Sequence, residues 1–313
     1  MKDAFLLYIK GMAMGAVDVV PGFSGGTMAL ITGIYDRLLA ALAATPQALG
    51  LFVRGRIGQA WQACDASFLL VLLLGIATSI FSLAKGISYL MEHHPIPLWS
   101  FFFGLVMVSV WLVGREVSLW RWDRLLGLVA GTAFAIWITL AAPLQLTADP
   151  VTLFFAGALA ICAMILPGIS GSFILVLLGL YPAVLGALKS FDLPVLAVFA
   201  LGCLLGLMSF SRLLSWLLER VRDLTLAFLA GIILGSLGKV WPWKQTLTWQ
   251  TNSRGESYPL LQENLLPERY AALSGQDPQV LLALSLAVLA IVLVLGIEWL
   301  GRRTAPVRPG LAD

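Results

Sequence analysis

The chain has 313 residues, of which 59% are hydrophobic and 12% are charged, and its mean hydropathy is +0.91. A soluble domain usually carries about 25% charged residues, so this composition excludes a soluble protein and predicts a polytopic membrane protein. The net charge of +3 is not gathered into a basic cluster of the kind that binds nucleic acid. The 3 scattered cysteines and 2 histidines predict neither a disulfide framework nor a metal site.

The first half begins with an apolar segment, residues 6–42, that is interrupted by PGFSGG from Pro21 onward. Proline removes a backbone donor and glycine is a poor helix former, so a helix should stop before Pro21 and restart at about Ser24. A linker from Ala44 to Asp65 follows. Three uninterrupted apolar segments come next and approach the ~20 residues that cross a bilayer; they are residues 67–91, 98–113 and 125–142.

The second half has the same order. Its broken segment, residues 151–188, contains PGISGS from Pro167 onward. Predicted spans follow at residues 195–218, 225–240 and 280–300, with a polar loop at 241–279 before the last one. We therefore divide the chain into a first repeat, residues 1–145, and a second repeat, residues 146–313.

The two halves also match residue by residue, which indicates an internal duplication. Charged residues in membrane segments rarely align by chance, and here they align at two positions. Aligning Pro21 with Pro167 pairs Gly22 with Gly168, Ser24 with Ser170, Gly25 with Gly171, and Gly33 with Gly179; farther along, Gly75 pairs with Gly202, Lys85 with Arg212, and Glu92 with Glu219.

The distribution of Lys and Arg indicates how the chain crosses the membrane, because these residues collect on the cytoplasmic side. If each broken segment is re-entrant, both termini and the arginine-rich loops share that side, and the loop 241–279 lies outside. Three spans per half then give the halves opposite orientations, as in alternating-access transporters. The predicted fold is an all-α membrane protein of two inverted-topology repeats, each a re-entrant helical hairpin plus three transmembrane helices. The two breaks should meet inside it.

A helix that restarts after a break exposes free N–H groups at the positive end of its dipole, where phosphate binds well. We expect these groups and the adjacent hydroxyls to bind an anion. The alternative is that the breaks only make hairpin turns and allow tight helix packing. The candidate binding residues are Ser24, Gly25, Gly26, Thr27, Ser170, Gly171 and Ser172, with Pro21, Gly22, Pro167 and Gly168 shaping the breaks.

Lys85 and Arg212 are the candidate cations for such an anion, because they occupy equivalent positions in the two halves, ahead of Glu92 and Glu219. The two glutamates are candidates for a coupling or structural role. The alternative is that both side chains snorkel to the membrane interface and bind no ligand. Asp18 occurs in the first copy only and is a candidate for proton or cation coupling. It could equally pair with Lys10 or cap the restarted helix.

The segments GMAMGAVDVVPGFSGGTMALITGIYDRLL and ILPGISGSFILVLLGLY resemble a bacterial family of polyprenyl-phosphate transporters, the PopT type, formerly a domain of unknown function. The resemblance covers nearly the whole chain. It implies a flippase that returns undecaprenyl phosphate, the lipid carrier of cell-wall synthesis, from the outer to the cytoplasmic leaflet of the bacterial cytoplasmic membrane. The motif residues it implies are Asp18, Pro21, Gly22, Ser24, Gly25, Gly26, Thr27, Ser170 and Gly171; the second motif departs from the first at Ser172 and Phe173.

Two alternatives remain at this point. Integral-membrane undecaprenyl-diphosphate phosphatases also pair re-entrant segments with a proline-glycine-serine motif. An arginine follows their serine directly, whereas Gly25 and Gly171 stand there in this chain. The other alternative is a carrier for a small soluble anion. We expect no metal and no resident cofactor, and we leave coupling to a proton or sodium gradient open. The expected partners are polyprenyl phosphate and membrane lipids but no nucleic acid, and homo-oligomerisation also remains open.

Overall fold

The computed structural model describes residues 2–18, 24–141, 143–251 and 257–304, and most of them are helical. The first half contains α1 (Lys2–Asp18), α2 (Gly25–Ile31), α3 (Tyr35–Ala43), α4 (Thr45–Val53), α5 (Ile57–Ala63), α6 (Ala66–His93), α7 (Pro95–Gly114) and α8 (Trp122–Leu140). The second half contains α9 (Pro150–Ile165), α10 (Gly171–Leu177), α11 (Tyr181–Ser190), α12 (Leu193–Arg220), α13 (Arg222–Ser236), a 3-10 helix (Leu237–Val240), β1 (Lys244–Thr251), β2 (Ser257–Asn264), α14 (Pro267–Ser274) and α15 (Val280–Thr304).

The helices confirm a multi-pass, helical membrane protein. Within the described ranges, α6, α7, α8, α12 and α13 with its 3-10 extension are long and apolar enough to cross a membrane. The apolar part of α15, Val280–Gly296, is slightly shorter. These six helices correspond to the six predicted continuous spans.

The structure is mainly helical, as predicted, and it adds one short β-hairpin in the polar loop 241–279. Strands β1 and β2 form an antiparallel hairpin there, with Lys244 opposite Asn264, and α14 follows it. Two indole N–H groups hold the two ends of this loop together. Trp241 donates to the carbonyl of Leu265 and Trp243 donates to the carbonyl of Pro278, both at 2.8 Å. The predicted linker 44–65 is likewise not irregular, since α4 and α5 occupy most of it.

Both broken segments turn sharply at equivalent glycines. The chain bends by 120° between α2 and the α3–α4 segment, and by 112° between α10 and α11. Gly33 and Gly179 have φ angles of +69° and +73°, a region that other residues rarely adopt. Hydrogen bonds also match across the two turns: Ile34 N–H bonds the carbonyl of Ala29, and the equivalent bond of the second turn has the same spacing. Each hairpin is therefore built by the same local pattern.

The first helix of each half packs on the first long span of that half through glycines. A Cβ on Gly11 of α1 would lie 2.4 Å from the carbonyl oxygen of Leu72 in α6, and one on Gly157 of α9 would lie 2.4 Å from that of Phe199 in α12. Such close backbone approach requires glycine at both positions.

The remaining long helices pack across the halves. Helix α7 packs on α15, α13 packs on α8, and α7 and α13 pack against each other. An ion pair between Arg115 and Glu298 also joins α7 to α15. The centre of the core is one face of α13, where six apolar side chains are almost completely buried: Leu226, Ala227, Leu229, Ala230, Ile232 and Ile233.

Candidate functional site

The two breaks contact each other, which confirms that prediction. The Ser24 hydroxyl of the first break donates to the carbonyls of Met164 (3.1 Å) and Leu166 (3.3 Å), directly ahead of the second Pro-Gly. The Thr27 hydroxyl accepts a hydrogen bond from the Gly168 backbone N–H at 2.9 Å. Ser24 and Thr27 are only 2% and 1% exposed, so these hydroxyls are committed to the protein interior.

Tyr35 and Gly26 complete this joint. The Tyr35 hydroxyl donates to the carbonyl of Ile165 at 3.0 Å, and the tyrosine is 2% exposed. A Cβ added to Gly26 would lie 2.7 Å from the same carbonyl oxygen, so only glycine fits there. The first motif therefore binds the backbone of α9 where α9 ends.

The start of α2 is capped from within the first break. The backbone N–H of Gly25 donates to the Asp18 carboxylate at 2.6 Å, and that of Gly26 donates to the Ser24 hydroxyl at 3.1 Å. The predicted anion-binding N–H groups of Gly25 and Gly26 thus have protein acceptors in this conformation, one of them a carboxylate.

In a structural role, Asp18 was expected either to pair with Lys10 or to cap the restarted helix, and in the structure it caps the helix. Lys10 bonds elsewhere, donating to the carbonyl of Thr32 at 2.6 Å. Pro21 and Gly22 lie outside the described residues.

The second break is more open. The Ser170 and Ser172 hydroxyls are 2.8 Å apart and bond each other, and within the described ranges no side chain caps the start of α10. Gly171 packs against α9, where an added Cβ would lie 2.5 Å from the carbonyl oxygen of Ala160. Pro167 is buried, and Gly168 has a φ of +87°. The hydroxyls at this break are therefore available to a ligand.

A narrow cavity lies beside the second break, with room for about one water molecule. It brings together α8, the start of α10 and the end of α13. Its described lining residues are Ala135, Ile138, Thr139, Gly168, Ile169, Ser170, Phe173, Ser236 and Lys239.

The predicted cations Lys85 and Arg212 do not line this cavity. Lys85 is exposed on α6, and the Arg212 side chain donates to the carbonyl of Ala43 at 3.4 Å. Glu92 and Glu219 are also exposed, near the ends of α6 and α12. The predicted phosphate-binding role of Lys85 and Arg212 remains a prediction. So does the predicted coupling or structural role of Glu92 and Glu219.

Sequence reasoning missed Lys239, the cation that does face the second break. It lies inside the predicted span 225–240, and a lysine within a membrane segment is a functional candidate by default. The duplicated alignment drew attention to matched charges such as Lys85 and Arg212. The same alignment pairs Lys239 with the uncharged Leu112, so it gives no signal for Lys239.

Comparison with known proteins places the chain in a family. Residues 14–258 match the VCA0040-like family model, described as undecaprenyl phosphate translocase-like. The chain is 53% identical over 292 residues to a polyprenyl-phosphate transporter of Vibrio cholerae, covering 93% of this chain and 95% of that protein. It is 32% identical over 252 residues to a polyprenyl-phosphate transporter of Staphylococcus aureus, covering 75% and 85% of the two chains. No solved structure matches the chain. The protein therefore belongs to the VCA0040-like, undecaprenyl phosphate translocase-like family.

Proposed function

We propose that this protein transports undecaprenyl phosphate from the outer to the cytoplasmic leaflet of the bacterial cytoplasmic membrane, and so recycles the lipid carrier of cell-wall synthesis. Membership of a family of polyprenyl-phosphate transporters supports the cargo. The observation that carries the proposal is the contact between the two broken helices, next to a cavity that Lys239 lines. Irregular backbone inside a membrane protein is tolerated where it is buried in protein or lines a wet cavity, and it commonly binds the cargo.

The proposed mechanism is alternating access between two inverted repeats. Equivalent hairpin turns at Gly33 and Gly179, and equivalent close packing at Gly11 and Gly157, support two copies of one unit. With both hairpins re-entrant and three spans per half, the copies have opposite orientations and both termini are cytoplasmic. Each break would then meet the phosphate from its own side of the membrane.

The candidate residues of the two breaks differ in how far their polar groups are already bonded to the protein in this conformation. In the proposed mechanism Ser170, Gly171 and Ser172 at the second break would receive the phosphate, whereas Ser24, Gly25, Gly26 and Thr27 are engaged with the protein. Transport would exchange these states, opening the first break as the second one closes. Lys85 and Arg212 would assist at the two membrane faces.

Asp18 is the proposed coupling residue, because its carboxylate occupies the Gly25 N–H that an arriving phosphate would need. Neutralising the carboxylate would free that donor, so a proton or sodium ion bound to Asp18 would favour phosphate at the first break. Transport by an Asp18→Asn variant should no longer respond to an imposed proton or sodium gradient. A response equal to that of the native protein would refute this role.

The test is transport in liposomes that carry purified protein and fluorescent polyprenyl phosphate. Redistribution of the lipid between leaflets is followed together with release of inorganic phosphate. We expect redistribution without phosphate release, reduced about tenfold or more when Ser170→Ala and Ser172→Ala are combined. Ser190→Ala, in an exposed serine at the end of α11, is the matched control. Phosphate release would make the protein a phosphatase, and redistribution absent under every gradient would reject the lipid cargo.

A further inference from the structure

Lys239 presents its charge to the second break. Its ammonium nitrogen lies 3.8 Å from the centroid of the Phe173 ring, and its side chain lines the same cavity as Ser170. An aromatic face attracts a cation, but it offers no oxygen or nitrogen atom to accept a hydrogen bond from the ammonium N–H groups. The structure gives this ammonium no hydrogen-bond acceptor among the described residues.

Lys244, at the start of β1, stands next to it. Its ammonium group donates to the backbone carbonyl of Lys239 and lies 4.0 Å from the centroid of the Trp99 ring. Burial, and then the positive charge of Lys239, lower the pKa of Lys244 to about 7. The Lys244 ammonium therefore lies against the backbone of Lys239 itself.

Among the ion pairs that join described residues, none includes Lys239 or Lys244. Bringing two like charges together away from water is costly unless an opposite charge compensates them. An arrangement of this kind is the expected free state of an anion site.

Anchoring on the cytoplasmic face does not explain the lysines. Helix α13 begins at Arg222, which pairs with Asp36 and Glu116, and it ends at the lysine pair. The helix and its 3-10 extension have 19 residues, so the two ends are separated by roughly the thickness of a bilayer core. The lysines lie at the opposite end from the arginine-rich loops.

We propose that Lys239 and Lys244, with the hydroxyls of Ser170 and Ser172, bind the phosphate monoester of the lipid cargo and select it against the phosphodiesters of the surrounding phospholipids. This inference rests on the proposed function and adds which residues select the transported lipid. A phosphate monoester carries about −1.5 to −2 charges at pH 7, whereas a phosphodiester carries one. A bound dianion would favour the protonated form of Lys244, so two cations would complement the monoester, whereas Lys239 alone would balance the singly charged diester. The cavity must widen to admit the phosphate, which would displace the Phe173 ring from Lys239.

The test measures binding by the full-length protein in detergent. The probes are farnesyl phosphate, its monomethyl phosphodiester and inorganic phosphate. We expect the native protein to bind farnesyl phosphate about tenfold or more tightly than the diester. Lys239→Gln and Lys244→Gln should each weaken monoester binding about tenfold and leave diester binding nearly unchanged. Lys239→Arg should retain the preference, and Lys189→Gln, in an exposed lysine of α11, should behave like the native protein.

Three results would overturn the proposal. An unchanged monoester preference in both glutamine variants would remove the lysines from selection, while the transporter function would stand if those variants still moved polyprenyl phosphate in liposomes. Equal loss of monoester and diester binding would mean a structural role. Inorganic phosphate binding as tightly as farnesyl phosphate would make the ligand the free ion and reject the lipid. Failure of the native protein to bind or transport any prenyl phosphate would instead reject the proposed function itself.

Discussion

The first break, around Asp18 and Ser24–Thr27, and the second break, from Pro167 to Ser172, share a sequence pattern but differ in their partners. Ser24 and Thr27 are buried and bond the backbone of α9 and the second break. The Ser170 and Ser172 hydroxyls bond each other, and Ser170 lines the same cavity as Lys239. The same pattern thus builds a sealed joint in one half and an accessible site in the other.

The divergence lies in a few positions that the duplication does not preserve. Asp18 caps the first restarted helix, and its counterpart is Met164. Thr27 accepts the Gly168 N–H, and its counterpart is Phe173, which faces Lys239. A duplicated scaffold can therefore keep its hairpin geometry while substitutions at the breaks divide the tasks between the halves.

Forcing the joint apart should have the largest effect. In Gly26→Val the new Cβ would lie 2.7 Å from the Ile165 carbonyl oxygen. Overpacking of this kind costs typically about 1–3 kcal/mol, and here it separates the two breaks. We expect transport to be lost and the melting temperature in detergent to fall.

Gly186→Val is the matched control, because nothing lies within 4 Å of a Cβ at Gly186 in α11. Native-like transport by Gly26→Val would mean that the two breaks do not need this close contact.

The equivalent serines should respond differently to the same change. Ser24→Ala removes bonds to two backbone carbonyls and to the Gly26 N–H, so the free energy of unfolding should fall by about 1–3 kcal/mol. Ser170→Ala should change it by less than about 0.5 kcal/mol and should weaken transport instead. Thermal melting and transport are measured on both variants, and equal destabilisation by the two would remove the distinction between the breaks.

The equivalent tyrosines give a smaller version of this test. Tyr35→Phe leaves the Ile165 carbonyl without its side-chain donor and should cost about 1 kcal/mol. Tyr181→Phe should cost less, because Tyr181 is partly exposed and its hydroxyl bonds no described residue. The melting temperatures of the two variants decide this, and a larger loss in Tyr181→Phe would contradict it.

The smallest effect is expected at the surface between the halves. Arg222 of α13 pairs with Asp36 of α3 at 2.8 Å and with Glu116 at 3.3 Å, and all three side chains are about half exposed. Exposed ion pairs contribute about 1 kcal/mol or less and are screened by salt. Arg222→Gln should lower the melting temperature slightly at low salt and hardly at all at high salt. A large loss that persists at high salt would assign Arg222 a greater role.

Much of the fold could be predicted from the sequence, because hydropathy and glycine placement determine it locally. The six long helices follow from their apolar lengths. The sharp turns at Gly33 and Gly179 were missed, because the sequence pattern placed the breaks at the two Pro-Gly motifs and predicted helix beyond Gly33. The hairpin β1–β2 was missed, since a polar loop between membrane spans carries no strong periodic signal.

The site was harder to predict. Ser24 and Ser170 look alike in sequence, and only the packed structure separates the buried hydroxyl from the accessible one. Repeat alignment favours Lys85 and Arg212 because it rewards matched charges. Lys239 is unmatched, and it lies beside Ser170 only after α13 has packed against α8 and its end has met Gly168.

The central claim is that the hydroxyls of the first break are sealed in the protein while those of the second break are accessible. Its most direct test is thiol labelling of Ser24→Cys and Ser170→Cys, each made after replacing the native Cys64, Cys162 and Cys203 with alanine. Labelling rates with a membrane-impermeant reagent are measured with and without farnesyl phosphate. We predict rapid labelling at position 170, slowed by farnesyl phosphate, and very slow labelling at position 24. Equally fast labelling at both positions, or no protection at position 170, would contradict the account.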